Sequence, residues 1–176
     1  ISYDETGLEP DFEPLSETDN ASWVEQNLDQ VMEARELTSA LGTLPYRLFV
    51  PPEYDAAVRY PLLLFLHDRD ARGADNRPAT YSSNLFTGTQ SLVSPNLRHQ
   101  FPAIIVVPQC PAEPADHEWG HWYGSTPEDP QAGLVLEDGH YPSHDEPSLA
   151  ASLVRELIHD VEQHYSIDPR RRYITG

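Results

Sequence analysis

Three short apolar runs decide what this chain can become: Thr43 to Val50 (TLPYRLFV), Tyr60 to His67 (YPLLLFLH) and Ala103 to Pro108 (AIIVVP). Each has strand length, and the second and third are apolar at consecutive rather than alternate positions, as in strands covered on both faces. A parallel sheet flanked by helices is the natural host. Nearer the other end, Leu149, Leu153, Val154, Leu157, Ile158, Val161 and Tyr165 recur at three- and four-residue spacings. That rhythm predicts an amphipathic helix, opened by Pro147 and Ser148. SIDP closes it, and RRYIT returns as a strand that runs to Gly176. Strand, crossover, strand is the α/β pattern, in which ligands gather beyond the carboxyl ends of strands. The loops that begin at His67, Pro108 and Gly176 are therefore the ones expected to carry function.

The rest of the chain is less regular. Residues 1 to about 20 hold scattered apolar groups and two prolines, and read as an extended or partly disordered lead. From Ser22 to Thr38 the pattern fits a helix or a strand. Ser82 to Val93 has enough apolar residues for a short helix without strong periodicity. This divides the 176 residues into an acidic extension over 1–31 and one domain over 32–176, with 113–146 as an acidic, aromatic insertion loop.

Charge narrows the partners. Residues 1–37 carry eleven acids and one arginine, and residues 113–146 carry nine acids with no Lys or Arg. Together they account for more than the whole net charge of −18, so the remainder is near neutral. Nucleic acid and anionic membrane surfaces are disfavoured, because both need clustered Lys and Arg. No apolar stretch has the length of a membrane helix, and the opening segment lacks a basic and then apolar leader. The expected location is secreted or periplasmic, with the cytoplasm left open. The single cysteine, Cys110, forms no internal disulfide, and with no basic neighbour in sequence it reads as a buried, inert thiol.

One motif invites a metal reading. His117-Glu118-Trp119-Gly120-His121 fits H-E-x-x-H, in which two histidines one helical turn apart bind zinc and the glutamate is the base. The surrounding PAEPADHEWGHWYGSTPEDP has prolines on both sides and internal glycines, so a helix of useful length does not form there. The expectation is no metal and no other cofactor. Trp119, Trp122 and Tyr123 instead either line a cleft mouth, with Trp119 and Trp122 as substrate contacts, or simply pack.

Four blocks, taken in order, carry a resemblance: LPYRLFVPPEYD, YPLLLFLHDRDARGADN, SPNLRHQFPAIIVVPQCP and IHDVEQHYSIDPRRRYITG. They resemble the N-terminal half of α/β-hydrolase esterases, in the group that includes predicted peptidases and polyhydroxybutyrate-depolymerase-like and feruloyl-esterase-like hydrolases. The resemblance runs from about Met32 to Gly176, with a poor match between Glu113 and Glu146. It implies the N-terminal part of a mostly parallel sheet with flanking helices, incomplete as given. It also implies a serine carboxylesterase working through an acyl-enzyme, with Gly176 as the first glycine of the G-x-S-x-G nucleophile elbow and the serine two residues further on. The loop at His67 and Asp68 would form the oxyanion loop, with the backbone N–H of Arg69 as a donor. Gln109 would either contact substrate or tie down its loop. The implied partners are a small or polymer-linked ester and the C-terminal portion of the same domain.

Where relatives read H-G-A-G-E-R-G, this chain reads His67-Asp68-Arg69-Asp70-Ala71-Arg72-Gly73, with aspartate at both early glycines. A carboxylate near a developing oxyanion is unhelpful, so a non-catalytic relative acting as a binding module stands as the alternative, ahead of a zinc protease. The charge map also has a consequence for stability. Self-repulsion within the two acidic segments is screened as the Debye length falls from about 10 Å at 0.1 M salt to about 3 Å at 1 M. Thermal unfolding of the full-length protein should therefore shift upward between those NaCl concentrations; a flat or falling midpoint would mean that the acids are either paired internally or irrelevant to folding.

Overall fold

The computed structural model describes residues 15–67, 71–76, 92–110, 147 and 149–176. Its first element resolves the ambiguous stretch into both alternatives. Helix α1 spans Glu17–Val31 and strand β1 spans Glu33–Ser39. Ser16 caps the helix: its Oγ accepts the Asp19 N–H at 3.2 Å and donates to the Asp19 carboxylate at 2.6 Å, while Glu17 and Asp19 complement the positive end of the helix. Residues 17–20, expected as extended lead, are thus helical. The local cap chemistry outweighs their polarity.

Strand β2 (Gly42–Phe49), strand β3 (Tyr60–Phe65) and strand β4 (Ile104–Pro108) coincide with the three apolar runs. Between β3 and β4 lies α2 (Pro95–Gln100), which was not anticipated although its start is well marked. Ser94 is the N-cap, its side chain accepting the Leu97 N–H at 3.4 Å, and Pro95 fills the first turn, where a missing N–H costs nothing. Helix α3 (Leu149–His164) follows the expected periodicity, and β5 (Ile167–Thr175) begins four residues before the RRYIT run.

The five strands form one open sheet in the order β1-β2-β4-β3-β5. β2 is antiparallel to both of its neighbours, whereas β3 is parallel to β4 and to β5. Four strands therefore run one way and β2 runs against them, as a mostly parallel sheet requires. Pro61 sits inside β3 without disrupting it. Pairing with β4 begins one residue later, at Leu62, and the β5 register jumps between Tyr60↔Ile167 and Leu62↔Arg172, so the bulge falls where β3 has no N–H to offer.

Alternation along the strands splits the core in two. Leu44, Tyr46, Leu48, Leu62, Leu64, Ile104 and Val106 face α3, which buries Leu153, Val154, Leu157 and Val161 against them. Phe49, Phe65, Ile105 and Val107 point the other way and, with Met32 and Val93, receive Trp23 and Val31 of α1. Part of the 1–31 segment thus covers the sheet. Burial of each large aliphatic side chain contributes roughly 1.5–3 kcal/mol, so the two layers together supply the main force that holds the strands. At the far edge, among the described residues, β5 pairs only with β3, and its Tyr173 and Ile174 are 53% and 71% exposed.

Candidate functional site

The parallel strands β3, β4 and β5 end side by side, and the residues directly after them are hydrogen-bonded to one another. The Leu66 N–H donates to the Thr175 carbonyl at 2.8 Å, which draws the end of β5 against the residue before His67. Gly176 follows at once. A Cβ placed there would lie 1.9 Å from the Leu66 carbonyl oxygen, well inside contact distance, and φ is +156°. No other residue fits. The glycine that the resemblance marks as the head of an elbow is thereby packed on the start of the expected oxyanion loop.

That loop is held by a buried polar clamp. Gln109 is fully buried at the end of β4. Its Oε1 accepts the Asn76 N–H at 2.8 Å, and its Nε2 donates to the Ala71 carbonyl at 3.3 Å and to the Asp75 carboxylate at 3.1 Å. Both ends of the amide are used on residues 71–76, so Gln109 ties down the loop, one of the two roles expected of it. Gly73 lets the amide in, since a Cβ there would come within 2.8 Å of Gln109 Nε2. The Gly73 N–H then donates to the Cys110 carbonyl at 2.9 Å, and the Cys110 N–H donates to His67 Nε2 at 2.8 Å. An imidazole nitrogen that accepts a backbone N–H carries no proton, so the buried His67 ring is neutral with its proton on Nδ1. His67 acts on the loop geometry, at the place where the oxyanion loop was expected to start.

Asn76 closes the clamp. It adopts φ = 50°, a left-handed conformation that Asn tolerates better than most side chains, and its Nδ2 donates to the carbonyls of Arg35 at 2.9 Å and Tyr46 at 3.0 Å. Its own carbonyl accepts from Arg47 through Nε, at 2.8 Å, and through Nη2. Arg47 Nη1 reaches the Met32 carbonyl and the Asp29 carboxylate, both at 3.1 Å. Asn76, Arg47 and Gly73 were not singled out from the sequence. Asn76 left a faint signal, as an Asn closing a glycine-containing loop directly after an apolar strand.

Cys110 is 1% exposed, and desolvation pushes its thiol up to about 12, with Arg72 opposing only weakly. It stays protonated at neutral pH and is no nucleophile, as its sequence surroundings suggest. Asp68, Arg69, Trp119 and Trp122 lie outside the described residues, as do His117, Glu118 and His121 of the zinc-like motif. Among the described residues no group of three or more His, Cys, Asp or Glu side chains could hold a metal ion. No helix among them is long and apolar enough to cross a membrane.

Solved structures place this arrangement. The chain superposes on a thermostable esterase with a TM-score of 0.60 and 26% identity, over 84% of its own length and 34% of that protein's. It has the α/β-hydrolase fold. The chain spans about a third of that esterase's length. Weaker likenesses are to the CE1 ferulic acid esterase of the anaerobic fungus Anaeromyces mucronatus (TM-score 0.43, 16% identity, 98% of this chain and 56% of that one) and to the BES protein of Bacillus cereus (0.46, 15%, 96% and 54%). No protein-family profile and no curated protein matches the chain.

The clamp predicts a measurable local effect. Gln109→Ala leaves the Asn76 N–H buried without its acceptor, a loss of about 1–3 kcal/mol. In the full-length protein this variant should unfold at lower denaturant concentration and show faster hydrogen exchange at the Asn76 amide. Unchanged exchange there would mean that the loop is held by other contacts.

Proposed function

We propose that the chain belongs to a serine carboxylic ester hydrolase whose nucleophile lies two residues beyond Gly176. The observation that carries this reading is the packing of Gly176 on Leu66, at a distance that only glycine allows. It supports a sharp turn after β5 that would raise the next residues beside the loop following His67. In the reaction, the serine Oγ attacks the ester carbonyl while a histidine takes its proton. The resulting oxyanion accepts a hydrogen bond from the backbone N–H of Arg69. Collapse of the tetrahedral species expels the alcohol, which receives the proton, and water then releases the acid from the acyl-enzyme by the same steps. Gln109 and His67 serve as positioning residues for the loop that bears that donor. Trp119 and Trp122 shape the mouth of the acyl or alcohol pocket. The activity requires the completed domain, and residues 1–176 alone carry no nucleophile for it.

A second reading, a non-catalytic binding relative, is favoured by the aspartates at 68 and 70 where relatives carry glycine. Labelling of the full-length protein with a fluorophosphonate separates the two. The hydrolase reading expects stoichiometric modification at the serine two residues after Gly176; a folded protein that resists the reagent is the binding relative.

For an active enzyme, Asp68 should be a burden. A carboxylate about 6 Å from an oxyanion opposes it by about 2–3 kcal/mol at an effective dielectric of about 20, and Arg69 and Arg72 offset part of that. Asp68→Gly should raise kcat on a simple aryl ester severalfold with KM little changed, because the repulsion acts on the transition state and hardly on the neutral ester. A tenfold fall in kcat in a variant with unchanged circular dichroism would mean that Asp68 builds the loop through its own backbone contacts.

A further inference from the structure

The opposite end of the sheet holds a second concavity. A cleft of about 190 Å³ opens where β2 leaves the sheet and where β3 and β4 enter it, lined by Pro51, Val58, Tyr60 and Pro102 together with Arg98 and Glu53. Pro51 and Tyr60 are buried, and Val58 is half-buried. These walls are apolar, and Arg98, Glu53 and His99 make up the polar part of the lining. Arg98 comes from the last turn of α2, and its guanidinium stacks on the Trp23 ring of α1 with 4.4 Å from Cζ to the ring centroid. Stacking satisfies the face of the guanidinium but not its edge, where all five N–H donors point. Nε is buried with no hydrogen-bond partner, and no carboxylate pairs with Arg98 among the described residues. Burial also pulls its pKa below the usual guanidinium value. A half-buried guanidinium whose Nε has no partner, beside a cleft with apolar walls, calls for an anion with an apolar body.

We propose that this cleft binds a small aromatic carboxylate, its ring against the proline, Val58 and Tyr60 walls and its carboxylate on the edge of Arg98. Size limits the ligand to one ring, since a cavity of about 150 Å³ accommodates benzene. Charge limits it too. Glu53 is exposed at the rim, where it opposes a dianion such as phosphate more than a single carboxylate, and a planar carboxylate matches the guanidinium fork. The site lies at the amino ends of β3 and β4, away from the loops around His67 and Gly176, and it does not rest on the hydrolase reading.

The test is calorimetric titration of the full-length protein with benzoate. Saturable binding at one site per chain is expected, with a dissociation constant no weaker than about 10 mM for so small a ligand. Arg98→Gln should weaken it at least tenfold, and Val58→Phe, which fills the cleft from its apolar wall, should weaken it by a similar factor. Arg170→Gln, a surface arginine elsewhere, should bind as the parent does. Val58→Phe keeps the test decisive even where loss of the Trp23 contact unfolds Arg98→Gln. Absence of saturation, benzyl alcohol binding as tightly as benzoate, or folded Arg98→Gln and Val58→Phe variants that bind within twofold of the parent would each overturn the proposal.

Discussion

A loop that leaves a strand covered on both faces must cross the end of the sheet with its peptide groups partly cut off from water, and every group left unpaired there costs about as much as a lost hydrogen bond. Gln109 answers that constraint. One buried amide accepts from the Asn76 backbone and donates to Ala71 and Asp75, holding both ends of the 71–76 stretch against the end of β4. The bond from Cys110 to His67 and the bond from Gly73 to Cys110 close the same circuit from the β3 side. The shape of the loop thus depends on the position of β4, and β4 is central to the sheet.

Arg47 extends the circuit outward. It is 7% exposed, and a buried guanidinium is tolerated only when its donors are matched. The carbonyls of Asn76 and Met32 and the carboxylate of Asp29 supply that match, so one side chain links the loop to the end of α1 and the start of β1. The helix that precedes the sheet is thereby joined to the site through charge as well as through the packing of Trp23 and Val31. Loop, sheet and leading helix form one connected unit.

The two ends of the sheet have different character. At the carboxyl ends, backbone groups, a neutral histidine and a close-packed glycine meet with no free thiolate in reach, a setting suited to positioned N–H donors. At the amino ends, prolines and Tyr60 frame a largely apolar hollow beside a half-buried arginine. The reversed direction of β2 produces the second arrangement, because it delivers Pro51 to the end where β3 and β4 begin.

Strand positions and α3 were legible in the sequence because the signals are local. Consecutive apolar residues at Pro61 to Leu66 and the three- and four-residue spacing from Leu149 to Tyr165 report burial one segment at a time. The resemblance marks Gly176 as a candidate elbow glycine, but its close packing on Leu66 exists only in the folded sheet. Strand order also depends on which edges pair across long stretches of chain. The same holds for Gln109, whose amide meets Asn76 across 33 residues, and for Asn76, whose left-handed turn and bonds to Arg35 and Tyr46 exist only once β1 and β2 are in place. The stacking of Arg98 on Trp23 likewise needs α1 and α2 laid side by side. Hydrophobic period determines where elements form because each residue contributes to it alone; polar partnerships are properties of pairs, and only the folded sheet decides which pairs meet.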